Sequence, residues 1–234
     1  MNPWLALSLY LLVVWMLIFV LRKDIQQKML WMSILTFPLG FGEYLVVPAY
    51  WIPPSLFNLA QTTRIDIESF IFSFAVGGIS ACLYDVFCNK HLQTTPLFVN
   101  STRLAYVVTI VVVTFLLLFF GIKWNAMLAF STAVGVSALI RILYRPELAI
   151  RTICGGALFV AFYIISLSFL LGFYPHFIQD TWNLSHLSGI ILLNIPLEEY
   201  LFAASQGLFW SGIYEEMACG KVKVKSLNAN HKCR

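Results

Sequence analysis

The chain has 234 residues, 60% of them hydrophobic and 11% charged, with a formal net charge of +4 and a mean hydropathy of +0.82. That composition excludes a soluble globular domain. Uncharged runs of about 20 residues without strict alternation exclude a β-barrel and call for membrane-spanning helices, which satisfy their own backbone polar groups in lipid. The basic residues lie in loops and at the C-terminus, so the positive charge gives no reason to expect a nucleic-acid partner.

The first segment, MNPWLALSLYLLVVWMLIFVLRK, has neither a basic leader nor a small-residue cleavage site and reads as a retained span. Seven spans follow from hydropathy, at about 3–21, 29–47, 67–87, 104–121, 125–143, 152–173 and 189–214. With the N-terminus outside, thirteen of the fifteen Lys and Arg residues fall on the inner side; only Arg64 and Lys123 do not. The expected protein is therefore an integral, cell-membrane protein with its N-terminus out, its C-terminus in and a basic cytoplasmic tail at 217–234. Lys221, Lys223 and Lys225 in that tail read as a topology signal or headgroup contacts. Cys82, Cys88, Cys154, Cys219 and Cys233 form no CxxC pair and have no His at ligand spacing, so neither a metal nor a disulfide is expected. No GxGxxG is present, no cofactor is expected, and nothing calls for an oligomer.

Sliding the chain by 130 positions aligns 41–85 with 171–215 without a gap, and eight of those 45 positions are identical. They include Glu68/Glu198, Phe72/Phe202, Gly77/Gly207 and Tyr84/Tyr214, and Asp85 faces Glu215 in kind. Polar residues and glycines are not what shared hydrophobicity would produce. The expected architecture is all-α: two parallel three-helix repeats, 1–95 and 125–216, joined by one extra helix at 96–124.

Each charged carboxylate near the bilayer centre costs about 2.5–3.5 kcal/mol, so intramembrane acids mark function. Glu43, Glu68, Glu198 and Glu199 are all expected in the outer half of the bilayer, within reach of one cavity. At about 100° per residue Glu198 and Glu199 point apart. Glu198 shares a helix face with Asn194, Phe202, Ser205 and Phe209, and Glu199 with Ala203, Gln206 and Trp210. Pro196 either opens the helix or kinks it. Close carboxyls in an apolar site favour a protonated form able to act as a Brønsted acid. Among the nearby aromatic residues, including Tyr50, Trp51 and Trp182, a subset lining the cavity could stabilise a carbocation.

At IPLEEYLF (195–202) the sequence resembles the integral-membrane lycopene cyclases, whose hallmark is proline, any residue, glutamate, then glutamate or aspartate. Pro196, Glu198 and Glu199 match it, and Trp182–Asn183 fits the segment upstream. The resemblance implies an isomerase-type, redox-neutral cyclisation of an apolar polyene within the membrane. Glu198 would be the leading acid, Glu199 and Glu68 its acid/base partners, and Glu43 a supporting polar group. The substrate-binding set would be Glu43, Tyr44, Phe72, Asn194, Pro196, Tyr200 and Phe202. One departure stands out: the first repeat reads IDIESFIF, with Ser69 where the second acid belongs. That leaves one active half or a different substrate. An intramembrane protease is excluded because Ala203 stands where its motif needs Arg, and the isolated aspartates exclude a magnesium-dependent prenyltransferase. A carrier or binding protein for a small lipid or ion is the non-enzymatic alternative.

Overall fold

The computed structural model describes residues 2–88, 90–92, 101–217 and 224–226. Its helices are α1 (Pro3–Leu21), α2 (Gln26–Thr36), α3 (Glu43–Val46), α4 (Leu59–Thr63), α5 (Ile67–Cys88), α6 (Ser101–Leu116), α7 (Ala126–Tyr144), α8 (Ala149–Phe173), α9 (Phe177–Thr181) and α10 (Leu197–Met217). Among the described residues, six helical segments are long and apolar enough to cross a membrane, α2 and α3 counting as one with the turn between them. α10 is not among them, although its 21 residues reach about 30 Å, the thickness of the hydrocarbon core. Glu198, Glu199, Glu215 and Glu216 lower its hydropathy. The protein is a polytopic α-helical membrane bundle. Most of the basic tail lies outside the described residues; Val224–Ser226 pair antiparallel with Lys90–Leu92.

Short polar residues set the helix starts. Asn2 accepts from the backbone N–H groups of Trp4 and Leu5 at 2.9 and 3.3 Å, and Asn125 accepts from Leu128 at 2.8 Å. Asp66 accepts from Ser69 N–H at 2.6 Å, opening α5.

Two expectations change. The second span is not one helix, because Phe37–Gly42 tightens into a 3-10 turn before α3. Pro38 offers no N–H, and Gly40 lies so close to α5 that a Cβ there would meet the Phe70 ring at 2.7 Å. Nor does a helix begin at Gly189. Ile191–Leu192 and Ile195–Pro196 form a two-residue hairpin, with Leu193 and Asn194 at φ of 51° and 62°. Asn194 is therefore in a hairpin turn and not on the Glu198 face of a helix. Pro196 opens α10 without kinking it, which puts Glu198 and Glu199 in the first turn, where the helix dipole favours negative charge.

α5 packs on α1 and α2, α10 packs on α7 and α8, and α5 meets α10 and α8 at the centre; α6 packs on α7 and the edge of α10. Residues in the two halves perform matching tasks. At an offset of 123, Asn2 and Asn125 cap α1 and α7, and the Arg22–Asp24 and Arg145–Glu147 ion pairs occupy the following loops. Lys28 and Arg151, also 123 apart, each bridge Asp85 and Glu215, which are 130 apart. The distances are 2.9 and 2.6 Å from Lys28, and 2.6 and 3.1 Å from Arg151. Lys28 lies over the Tyr214 ring and Arg151 over the Tyr84 ring. All four charged side chains are buried. Gly77 abuts Thr36, and Gly207 abuts Phe159 and Gly156, with no room for a Cβ at either glycine.

Candidate active site

The first turns of α5 and α10 present Glu68, Glu198 and Glu199, all buried, in two different settings. Glu68 Oε1 accepts from Leu56 N–H at 2.7 Å and from Asn2 Nδ2 at 3.0 Å. Glu198 Oε1 accepts from Ser188 N–H at 2.6 Å. Each ties the start of its helix to the loop that precedes it, so the pair matched in sequence is also matched in task.

Glu199, one residue further on, turns into the bundle. Its Oε1 accepts from Tyr50 Oη at 2.8 Å and Trp182 Nε1 at 2.9 Å, and its Oε2 from Tyr163 Oη at 2.7 Å. Three donors on one buried carboxyl fix its orientation and suit it to carry negative charge. Tyr50 and Trp182 come from the two loops at this end of the bundle. There Ile52 N–H donates to Thr181 O at 2.8 Å and Asn183 N–H to Tyr50 O at 2.9 Å, making a bridge between Trp51 and Trp182. The two indole rings lie 5.0 Å apart. Trp51 Nε1 donates to Glu43 Oε2 at 2.9 Å, so each loop delivers an indole N–H to one carboxyl. Glu43 sits beside Ser69, the residue equivalent to Glu199. A carboxyl from the second span thus occupies the half-site where the second acid is missing from α5.

Glu43 and Glu199 line a cavity of about 440 Å³ whose remaining wall is mostly apolar. Phe72 and Phe202, equivalent positions of α5 and α10, face each other there with centroids 6.3 Å apart and planes 25° from parallel. The Tyr163 ring lies 5.7 Å from that of Phe202, and the Trp4 ring 4.9 Å from that of Phe72. Aromatic faces gathered in this way can stabilise a cation at about 6 Å or less.

Of the residues singled out in the sequence, Glu43, Glu199, Phe72 and Phe202 meet at the cavity, and so do the aromatic residues Tyr50, Trp51 and Trp182 and, from the Glu199 face, Gln206 and Trp210. Glu68, Glu198, Tyr44, Asn194, Pro196 and Tyr200 are not part of its lining. Tyr44 is largely exposed with the Arg64 guanidinium over its ring, and Tyr200 Oη donates to Leu192 O at 3.0 Å, holding the hairpin. Sequence reasoning missed Trp4 and Tyr163 as lining residues; the signal for Tyr163 was the one tyrosine in the apolar run of α8. Among the described residues, no group of three or more His, Cys, Asp and Glu is placed to hold a metal.

Fold and site together define a polytopic membrane protein with two carboxyls lining an aromatic, apolar cavity. The family model described as lycopene cyclase matches residues 2–87 and 123–217, and the chain belongs to that family. The connecting helix α6 falls between the two matched segments. No curated protein and no solved structure matches the chain.

Proposed function

We propose that the protein closes rings at the ends of a linear polyene such as lycopene by acid-initiated, redox-neutral cyclisation. The observation that carries this reading is the pairing of Glu43 and Glu199 in one aromatic-lined apolar cavity. The Glu43 carboxyl adds its proton to the terminal double bond, leaving a tertiary cation. The internal alkene attacks that cation and forms the ring bond, and Glu199 takes a ring proton to restore a double bond. One proton enters and one leaves, so the product is an isomer of the substrate and no oxidant is needed. Between turnovers Glu199 gives up that proton to solvent and Glu43 takes a new one from solvent. Glu43 is assigned the acid role because fewer donors hold it than hold Glu199, whose three donors suit an acceptor of the ring proton.

Phe72, Phe202 and Tyr163 face the cation, and the paired Trp51 and Trp182 loops exclude the water that would trap it. Glu198 and Glu68 act through the loops they hold. We read the chain as two copies of a three-helix unit, 1–95 and 125–216, joined by the helix within 96–124; the matching caps and the reciprocal ion pairs support this. We also read the N-terminus as outside and the C-terminus as cytoplasmic, supported by the distribution of Lys and Arg.

The test is pigment extraction from a lycopene-accumulating host. Glu43→Gln should leave lycopene unreacted. Glu199→Gln should yield less than a tenth of the normal ring product, accompanied by water-trapped or misplaced-double-bond rings. Normal product from either variant would overturn the assignment.

A further inference from the structure

The cavity is covered by the paired loops at one end but has an edge toward the lipid. Between the 3-10 turn with α3 on one side and α6 on the other, its wall is formed by Leu39, Leu45, Val112 and Phe115. Leu39, Leu45 and Val112 line the cavity and are also 40%, 46% and 45% exposed, as residues at the rim of an opening must be. The packing explains the gap. The turn is held by α5 and α2, whereas α6 is held by α7 and α10, and no extensive packing joins the two sides. Met127 and Phe130 of α7 form the floor between them. Every rim residue is apolar and belongs to a membrane-crossing segment, so the opening faces hydrocarbon.

At about 440 Å³ the cavity lies within the roughly 300–1,000 Å³ range of small-molecule sites. That gives room for a ring-forming end group but not for a whole carotenoid-length polyene. Drawing the rest of the chain out of lipid toward the aqueous loops would cost about 0.8 kcal/mol per methylene-sized unit. Leaving it in the bilayer costs nothing.

We propose that this rim is the lateral entrance for the polyene. The end to be cyclised enters between Leu45 and Val112, the remainder stays in the bilayer, and one end is processed per binding event. The proposal rests on the cyclase reading above. It follows that a second ring requires release and re-entry by the other end, and that bulk at the far end of the substrate is tolerated.

The experiment uses the full-length protein in liposomes with a polyene of lycopene length carrying a diazirine near its midpoint. After irradiation, adducts should concentrate in peptides covering 38–46 and 108–116 and should fall at least fivefold with excess unlabelled lycopene. Adducts spread over the lipid-facing surfaces of α1 and α8 without competition would overturn the entrance. In parallel, Val112→Trp should lower ring formation at least tenfold, while Val113→Trp, one residue along α6 and outside the cavity lining, should stay within twofold of wild type. Equal rates for the two variants would also overturn it. Competed adducts at the rim with no ring product from wild type would refute the cyclase reading and leave the entrance standing. Ring product with no rim adducts would refute the entrance alone.

Discussion

Tyr163 gives the sharpest local test of how Glu199 works. It alone donates to Oε2, at 2.7 Å, whereas Tyr50 and Trp182 share Oε1. Tyr163→Phe keeps the ring against Phe72 and Phe202 and removes only the hydroxyl. A hydrogen bond to a charged group contributes about 1.5–3 kcal/mol. Without that donor the ionised form of Glu199 is disfavoured by the same amount. A larger share of the resting protein then holds Glu199 protonated and unable to accept the ring proton, and cyclisation slows by up to roughly 10- to 160-fold. Tyr50→Phe leaves Trp182 on the same oxygen and should slow the reaction less. The assay is the initial rate of ring formation by purified protein in lycopene-loaded liposomes, normalised to folded protein by gel filtration. A Tyr163→Phe rate within twofold of wild type, or a larger effect from Tyr50→Phe, would refute the role given to Glu199.

Two further substitutions separate chemistry from scaffold. Glu198→Gln weakens a hold on Ser188 N–H and a favourable first-turn charge, about 1 kcal/mol of stability; ring formation should stay within threefold of wild type, in contrast to Glu199→Gln. Asp85→Asn leaves Lys28 and Arg151 facing a single buried carboxylate, Glu215, and should cost about 3–5 kcal/mol of stability. Thermal unfolding in detergent should register that loss, and Glu215→Gln should match it because the two acids share the same pair of cations.

Most of the bundle was legible because hydropathy marks helices that must satisfy their backbone internally. The break at Phe37–Gly42 carried its signals in Pro38, Gly40 and Gly42, but hydropathy alone runs through them. The hairpin at 191–196 is as apolar as a span, and only Pro196 with Asn194 hints at a turn. The matches 130 residues apart run from the end of the second span through the third helix. Asn2 and Asn125, like Lys28 and Arg151, are 123 apart, so one ungapped comparison could not join them.

Two adjacent glutamates point apart on any helix, yet their spacing cannot say which one faces the cavity. That is decided by Tyr163 from α8 and Trp182 from a loop, neither of them near in sequence. Glu43 entered the sequence reading as a supporting group. Its place beside Ser69 came from the 3-10 turn and α3, which hydropathy had merged into one helix.

The claim at the centre of the account is that a protein-borne proton starts ring formation. Purified protein in liposomes, equilibrated in heavy water and supplied with unlabelled lycopene, tests it directly by mass spectrometry of the product. Each ring formed should carry one deuterium from the exchanged carboxyl, with no other change in composition. Rings free of deuterium, or a polyene returned without rings, would contradict it.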